Sequence, residues 1–203
     1  MSYVCSRQGC IMDAFISSFT AVAVAEIGDK TQLLSLFLAA RFRAKGAIVA
    51  GILVATLLNH AASAWLGVWV AQFIPQGWHN VLLGGSFIAV ALWLLIPDKD
   101  DSDDNSMLRY GAFAASCMLF FLAEIGDKTQ IATVILAASF EQAVWWVIVG
   151  TTLGMLAANV PVVYAGSWLM QKISLKWARW SACTLFIVLG IYIICSDQLA
   201  ALS

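Results

Sequence analysis

Long apolar stretches separated by short polar segments run through the whole chain. Six of them are long enough to be membrane spans, near residues 13–39, 46–72, 80–97, 109–138, 144–170 and 178–196. A helix needs about 20 predominantly apolar residues to cross the hydrocarbon core of a bilayer. The pattern therefore predicts an all-α integral membrane protein with six transmembrane helices.

The first and fourth apolar stretches are longer than one span requires. Each has a glycine near its middle, Gly28 in the first and Gly126 in the fourth. Long apolar segments fit a bilayer by tilting or by breaking into two shorter helices. We expect tilt, or a break at these glycines.

The six predicted spans form two similar groups of three. Matching positions lie 98 to 100 residues apart: Glu26 and Glu124, Phe87 and Phe186, Asn59 and Asn159. Similar offsets across three successive spans indicate a duplicated three-helix unit. Because three is an odd number, the second unit enters the membrane from the opposite side. The prediction is two inverted three-helix repeats, an arrangement typical of secondary transporters.

The repeat divides the chain into domains. Residues 1–97 form the first repeat, residues 98–108 an acidic cytoplasmic linker, and residues 109–203 the second repeat. We expect residues 1–11 to be an N-terminal extension, because Met12 begins a segment that resembles a natural start of a membrane protein. The following apolar segment is longer than the apolar region of a cleavable signal peptide.

Basic residues lie almost entirely on one side of the predicted membrane domain. The opposite side has only Arg7, while eight basic residues share the first side: Arg41, Arg43, Lys45, Lys99, Arg109, Lys172, Lys176 and Arg179. Cytoplasmic loops of membrane proteins carry the excess of lysine and arginine. We therefore expect both termini to be extracytoplasmic.

Composition supports the membrane assignment and narrows the function classes. Hydrophobic residues make up 62% of the chain and charged residues 11%, against roughly 45–50% and 25% in soluble domains. The formal net charge is −1, and the chain has no basic patch for nucleic acid. The lipid bilayer is the expected environment, and the oligomeric state is left open.

One octapeptide, Ala-Glu-Ile-Gly-Asp-Lys-Thr-Gln, occurs in both repeats, at residues 25–32 and 123–130. Both copies lie inside apolar stretches. A charged side chain near the centre of a bilayer costs roughly 2.5–3.5 kcal/mol, and ionisable residues there usually mark a functional site. The duplication suggests that the two copies face each other around one site.

The carboxylates of the motif are candidate metal ligands. Glu26 and Asp29 are three residues apart, so they would share one face of a continuous helix, and so would Glu124 and Asp127. Two helices crossing at these points would bring up to four carboxylates together. Oxygen ligands without imidazole or thiolate suit calcium, magnesium or manganese better than zinc or copper.

Other residues of the motif are candidates for accessory metal binding or gating. These positions are Gly28, Lys30, Thr31, Gln32, Gly126, Lys128, Thr129 and Gln130, with Asn59 and Asn159 on the second helix of each repeat. Threonine and amide side chains supply neutral oxygens, and glycine allows close helix approach or frees a backbone carbonyl. A lysine that holds the carboxylates in the empty site and releases them to a cation is one interpretation.

Packing offers a different interpretation for several of these residues. Glu26 and Lys30 are four residues apart and would neutralise each other on a buried helix, as would Glu124 and Lys128. Packing alone does not require eight identical residues twice, which favours a functional role.

The polar residues on the second helix of each repeat also allow more than one interpretation. Asn59 and Asn159 are equally compatible with ligand binding and with polar contacts between helices. The repeat counterpart of His60 is Val160, which favours an accessory or packing role for this histidine.

The paired Glu-x-Gly-Asp-Lys-Thr motif in a six-span chain resembles the Gdt/MneA family of manganese and calcium exporters. The resemblance extends from Met12 across the chain. It implies a bacterial inner-membrane exporter of divalent cations, with Mn²⁺ as the usual substrate and a Ca²⁺/H⁺ antiporter as the alternative. The family's functional positions fall on Glu26, Gly28, Asp29, Lys30 and Thr31, and on Glu124, Gly126, Asp127, Lys128 and Thr129.

Proton exchange is expected from the chemistry of carboxylates. Metal ions and protons compete for the same oxygens, so a metal that enters the site displaces protons. The metal ion and the proton are then the transported partners, and no cofactor is expected.

Three other function classes are open. Paired carboxylates would also serve an exporter of small organic cations, although the motif helices have no aromatic cage. Two membrane aspartates resemble those of intramembrane aspartyl proteases, but a lysine follows each aspartate and would disturb a shared-proton pair. A channel is the third class, although an inverted repeat with one central site favours alternating access.

Overall fold

The computed structural model describes residues 7–75, 78–96, 105–166 and 175–201. Within these ranges the chain forms eight α-helices: α1 Arg7–Ala25, α2 Lys30–Arg41, α3 Lys45–Ala71, α4 His79–Leu94, α5 Gly111–Glu124, α6 Lys128–Ser139, α7 Val144–Ala165 and α8 Leu175–Ala201. Short 3₁₀ segments at Asn105–Tyr110 and Glu141–Ala143 precede α5 and α7. Residues 1–6 of the predicted extension 1–11 and residues 98–104 of the predicted linker 98–108 lie outside the described residues, while residues 7–11 belong to α1.

The helix lengths agree with the six predicted spans in part. Three helical segments are long and apolar enough to cross a membrane, Lys45–Ala71, Met107–Glu124 and Glu141–Ala165, and α1 with α2 makes a fourth if the bent pair is one span. Helix α4 and the Trp180–Cys195 part of α8 are apolar but shorter. The described residues therefore form an all-helical membrane protein with three or four candidate spans by length and composition.

Both over-long stretches are broken at the motif. Helix α1 ends at Ala25 and α2 begins at Lys30, with a bend of 71° between them. The second stretch is interrupted in the same way between α5 and α6. Gly28 has φ of 81° and Gly126 has φ of 75°, in the left-handed region that strains residues with a side chain. The expected breaks at these glycines are confirmed.

The breaks correct one premise of the sequence analysis. Glu26 and Asp29 do not share the face of a continuous helix, because the chain from 26 to 29 is a turn between α1 and α2. Glu124 is the last residue of α5, while Asp127 precedes the first residue of α6. Each motif therefore places its carboxylates at helix ends.

The helices of the two halves pack crosswise. Helix α1 packs mainly against α7, α5 against α3, and α4 against α8. Each of these pairs joins a helix of the first half to a helix of the second, and contacts between helices of one half are much smaller. The two halves are therefore interlocked.

Two glycines show that the crosswise contacts are equivalent. Gly51 on α3 packs so closely against α5 that an added Cβ would lie 2.6 Å from the carbonyl oxygen of Phe113. Gly150 on α7 packs against α1 in the same way, with 2.8 Å to the carbonyl oxygen of Phe15. Phe15 and Phe113 are 98 residues apart, which is the spacing of the repeated motif. The α1–α7 and α3–α5 crossings are thus counterparts.

Equivalent helices of the two halves run in opposite directions where they meet. On α4 and α8, Gly84 packs against Ile194 and Phe87 against Phe186, whose ring centroids are 5.7 Å apart. These pairings require α4 and α8 to be antiparallel. Lys45, at the start of α3, donates a hydrogen bond of 3.2 Å to the carbonyl oxygen of Tyr164, near the end of α7.

Several polar side chains are buried in this fold, and many large apolar side chains are exposed. Glu26, His60 and Glu124 are fully buried. Large apolar residues such as Trp65 and Trp69 are more than half exposed. This distribution suits a bilayer, because lipid solvates apolar surface and the charged groups are sheltered inside.

Candidate metal site

Three carboxylates from both copies of the motif converge where the helix breaks meet. The ligand oxygens of Glu26, Asp29 and Asp127 all lie within 4.8 Å of one another. Glu26 follows the end of α1, Asp29 precedes α2, and Asp127 precedes α6. Glu26 is fully buried, Asp127 is buried, and Asp29 is partly exposed. We call these three residues the carboxylate cluster.

The positions of the two aspartates follow from the helix starts. Asp29 and Asp127 are the N-cap residues of α2 and α6, yet neither side chain makes the usual capping hydrogen bond to its helix. Both carboxylates nevertheless lie at helix N-termini, where the backbone dipole favours negative charge. The cluster is therefore stabilised by two helix ends without using its oxygens as caps.

Glutamine side chains support the broken backbone in both copies. The Gly28 N–H donates to Gln32 Oε1 at 2.8 Å, and the Gly126 N–H donates to Gln130 Oε1 at 2.7 Å. Gln32 Nε2 also donates to the carbonyl oxygen of Ala158 on α7, at 2.9 Å. These contacts hold the turns in place, so Gln32 and Gln130 have a structural role in the geometry observed.

The two threonines hold different carboxylates. Thr31 Oγ1 donates to Glu26 Oε2 at 2.5 Å, whereas Thr129 Oγ1 donates to Asp127 Oδ2 at 3.1 Å. Both carboxylates belong to the cluster. The repeated sequence thus forms two local arrangements that are not identical.

The lysines also differ between the copies. Lys30 Nζ lies 2.9 Å from Asp127 Oδ1, so this ion pair joins the first copy to the second. Lys128 Nζ donates to the carbonyl oxygen of Ile96, just after α4, at 2.6 Å. The lysine and glutamate of each copy do not pair along one helix face. A helix break separates each lysine from the glutamate four residues before it.

Glu124 lies beside the cluster and is not part of it. It is close enough for its charge to interact with those of Asp29 and Asp127, but the group of ligand oxygens within 4.8 Å contains only the other three carboxylates. Its Oε2 lies 3.9 Å from Nε2 of His60. Three of the four candidate carboxylates therefore form one group, and the fourth lies alongside it.

The asparagines on α3 and α7 make contacts between and within helices. Asn59 Nδ2 donates to the carbonyl oxygen of Phe121 on α5, at 3.1 Å. Asn159 Nδ2 donates to the carbonyl oxygen of Met155 at 3.1 Å, and its Oδ1 accepts from Ser35 Oγ at 2.8 Å. Of the two interpretations left open for these amides, the observed contacts favour polar packing.

Ser35 was not among the residues that we selected from the sequence. Its hydroxyl connects α2 to Asn159 on α7. The residue 98 positions later, Thr133, also has a hydroxyl group and is also buried. Comparing the two repeats beyond the octapeptide would have identified this pair of positions.

The cluster has the chemistry of a site for a hard divalent cation. It combines three carboxylates with the ammonium group of Lys30, and its donor atoms are oxygens. Carboxylate oxygens are the preferred ligands of calcium, magnesium and manganese.

Comparison with known proteins identifies the family. The family model described as divalent cation/proton antiporter GDT1 matches residues 14–102 and again residues 112–201, one match for each half. The chain is 51% identical to a Vibrio cholerae protein named "Putative manganese exporter" over 181 residues, which cover 89% of this chain and 90% of that protein.

More distant relatives come from photosynthetic organisms. GDT1-like protein sll0615 of Synechocystis is 28% identical over 82% of this chain and 89% of its own length. GDT1-like protein 4 of Oryza sativa subsp. japonica is 30% identical over 81% of this chain and 66% of its own length. No solved structure matches the chain. The chain is a multi-pass membrane protein that belongs to the GDT1 family of divalent cation/proton antiporters, and it is therefore a transporter and not an enzyme.

Proposed function

We propose that this protein exports Mn²⁺ from the cytoplasm in exchange for protons, and that Glu26, Asp29 and Asp127 bind the ion. The convergence of these three carboxylates from both motif copies carries the proposal. Manganese is favoured over other divalent ions by the 51% identity to a relative whose name specifies manganese export. Glu124, beside the cluster, is the next carboxylate that a moving ion meets.

The exchange reaction follows from the charges in the cluster. Three ionised carboxylates within 4.8 Å repel one another, and the ion pair of Lys30 with Asp127 offsets part of this charge. In the proposed exchange, protons or a divalent cation supply further positive charge to these oxygens. Because both bind the same oxygens, loading of the metal releases protons and loading of protons releases the metal.

Alternating access requires two arrangements of one fold. We infer six transmembrane segments in two inverted repeats, residues 1–97 and 109–203, joined by a cytoplasmic linker at 98–108. The antiparallel contact of α4 with α8 and the equivalent α1–α7 and α3–α5 crossings support this inference. In this scheme the two broken helix pairs are one span each, and the shorter apolar helices α4 and α8 are the remaining third spans.

The location and orientation belong to the same proposal. The excess of basic residues on one side supports extracytoplasmic termini, and the Vibrio cholerae relative supports a bacterial cell membrane. The inward proton gradient across such a membrane then provides the energy for metal export.

The remaining motif residues have supporting roles in this proposal. Gly28 and Gly126 form the turns, Gln32 and Gln130 hold their backbone amides, and the two threonines orient carboxylates of the cluster. Lys30 holds Asp127 when no metal is bound and releases it to the ion. Asn59 joins α3 to α5, and Asn159 joins α7 to α2 through Ser35.

The test uses purified protein in sealed vesicles that contain a pH-sensitive dye. Adding Mn²⁺ to one side should cause metal uptake and proton movement in the opposite direction, and both should disappear in Glu26→Gln. Ca²⁺ added in parallel measures the alternative substrate. Metal flux without a proton signal, and unaffected by collapse of the pH gradient, would indicate a channel or uniporter and contradict the proposal.

A further inference from the structure

A histidine and a glutamate meet in the interior without a hydrogen bond. His60 and Glu124 are both fully buried, and His60 Nε2 lies 3.9 Å from Glu124 Oε2. Among the described residues, neither nitrogen of His60 and neither carboxylate oxygen of Glu124 has a hydrogen-bond partner. Buried polar groups of native proteins are nearly always hydrogen-bonded, so four such atoms in one place need an explanation.

The distance between the two side chains is informative. At 3.9 Å the N and O atoms are too far apart for a hydrogen bond, which requires about 2.7–3.2 Å. Two ligands of one metal ion have a different spacing. With bonds of about 2.0–2.2 Å, the lengths found at zinc sites, two ligands lie about 3 to 4.4 Å apart, depending on the angle at the metal. The observed separation falls within this range.

The surroundings keep the two side chains together. Asn59, the neighbour of His60 on α3, donates to the carbonyl oxygen of Phe121 at 3.1 Å, one turn before Glu124 on α5. This bond fixes the register of α3 against the end of α5. Glu124 also lies next to the carboxylate cluster, since its charge interacts with those of Asp29 and Asp127.

We propose that His60 is a metal ligand, and that His60 Nε2 and Glu124 Oε2 form a second binding position for the transported ion beside the carboxylate cluster. This inference rests on the proposed transport of a divalent cation. It also accounts for the difference between the repeats, because Val160, the counterpart of His60, has no donor atom. The pathway thus contains one all-oxygen position and one position with a nitrogen ligand.

A nitrogen ligand affects which metals the protein moves. Imidazole is a common ligand of transition metals, whereas calcium and magnesium prefer oxygen. An ion that passes His60 therefore gains more if it is Mn²⁺ than if it is Ca²⁺. His60 is on this basis a specificity-determining residue for the transport reaction.

The direct test is electron spin-echo spectroscopy of Mn²⁺ bound to the full-length protein. The chain has two histidines, His60 and His79, so protein labelled with ¹⁵N only at histidine, and purified with a tag that lacks histidine, reports histidine binding alone. We expect ¹⁵N coupling to the ion in the native protein and in His79→Gln, and its loss in His60→Gln. No ¹⁵N coupling in the native protein, or coupling that persists in His60→Gln, would overturn the inference.

A second measurement compares transport of Mn²⁺ and Ca²⁺ in sealed vesicles. Loss of even an outer partner of a metal ligand lowers affinity roughly 10–100-fold, so His60→Gln should reduce the Mn²⁺ to Ca²⁺ transport ratio by at least about 10-fold. Ser63→Ala is the matched control, because Ser63 is buried one turn away on α3 and bonds only to the carbonyl oxygen of Asn59 among its described partners.

The role of His60 and the proposed Mn²⁺ export would be contradicted by different results. An unchanged metal ratio in His60→Gln, with Mn²⁺ transport intact, would overturn the role of His60 and leave the proposed export standing. Native protein that moves neither metal would instead contradict the proposed function, and the ¹⁵N measurement on bound Mn²⁺ would still decide whether His60 is a ligand.

Discussion

The carboxylates of the cluster are held by groups of different strength. Glu26 accepts from the Thr31 hydroxyl, while Asp127 has both a hydroxyl and the ammonium group of Lys30 within bonding distance. A neutral hydroxyl gives way to a metal ion more easily than an ammonium group does. If the proposed metal site is correct, we expect Glu26 to bind the ion before Asp127, which first has to be released by Lys30.

Replacing any cluster carboxylate by its amide should abolish most Mn²⁺ transport. Glu26→Gln, Asp29→Asn and Asp127→Asn keep the shape of the side chain but remove the charge. Ligand charge sets the affinity of hard-cation sites over several orders of magnitude, so we expect at least about a 10-fold loss in vesicle uptake. Asp13→Asn, on the exposed side of α1, is the control. Full activity in Asp127→Asn would contradict the placement of the site.

The pair of Lys30 and Asp127 should be detectable as an energetic coupling. Removing one partner leaves the other charge inside the protein, so Lys30→Met and Asp127→Asn should each lower the unfolding temperature in detergent. The double variant should be destabilised less than the sum, with a coupling of about 0.5–3 kcal/mol as for other residues in contact. Strict additivity would show that the 2.9 Å contact does not form in the metal-free protein.

At the scale of elements, the broken helices are the feature that creates the site. Each break exposes the N-terminus of a second half-helix toward the cluster, and the Asp of the motif sits at that end. Two continuous helices would instead pair Glu26 with Lys30 along one face. The turn at Gly28 thus replaces a possible local ion pair by the contact of Lys30 with Asp127 of the other copy.

Gly126, in the second motif, has a left-handed backbone conformation. Its replacement tests whether the turn is required, without causing a steric clash. A Cβ at Gly126 meets no atom within 4 Å, so Gly126→Ala acts only through its φ of 75°. The left-handed conformation costs a residue with a side chain about 1–2 kcal/mol. We expect a lower unfolding temperature and weaker Mn²⁺ transport.

Gly85 on α4 is the control for this variant. It also has open space for a Cβ, but its φ is not in the left-handed region. Gly85→Ala should be neutral or stabilising by roughly 0.5–1 kcal/mol, because alanine favours a helix interior. Equal effects of the two substitutions would mean that the turn at Gly126 is not required.

The sequence predicts these elements well, since the signals are local. The apolar stretches predict the start of α3 and of α7 to within one residue. A glycine near the middle of each over-long stretch indicates the helix break. The repeat brought both motif copies to one site. Which carboxylates meet is decided by contacts between distant helices, so the separation of Glu124 from the cluster and the bond from Lys30 to Asp127 were not predictable from residue spacing.

At the scale of the whole molecule, the two halves share one interior. The main helix contacts, α1 with α7, α5 with α3, and α4 with α8, all cross between halves. Such contacts suit a transporter in which one half moves against the other, because the site lies at their junction. A change in the angle between halves alters the distances from Asp127 to Glu26 and to Asp29, which both belong to the first half.

The proposed orientation can be tested by reporter fusions at two positions. A reporter inserted at residue 102 should be cytoplasmic, and one fused after Ser203 should be extracytoplasmic, because eight basic residues lie on one side against one on the other. A cytoplasmic C-terminus would mean an odd number of spans or reversed insertion, and would contradict the inverted repeat.

The crosswise packing also has a consequence for synthesis of the protein. A ribosome completes α1 to α4 before it begins α5, so for a time the first half lies in the bilayer without the helices that cover it. During that interval Glu26 and Lys30 lack Asp127 and its helix end. The nascent chain therefore has to be sheltered, by the insertion machinery or by water at the translocation channel, until the second half arrives.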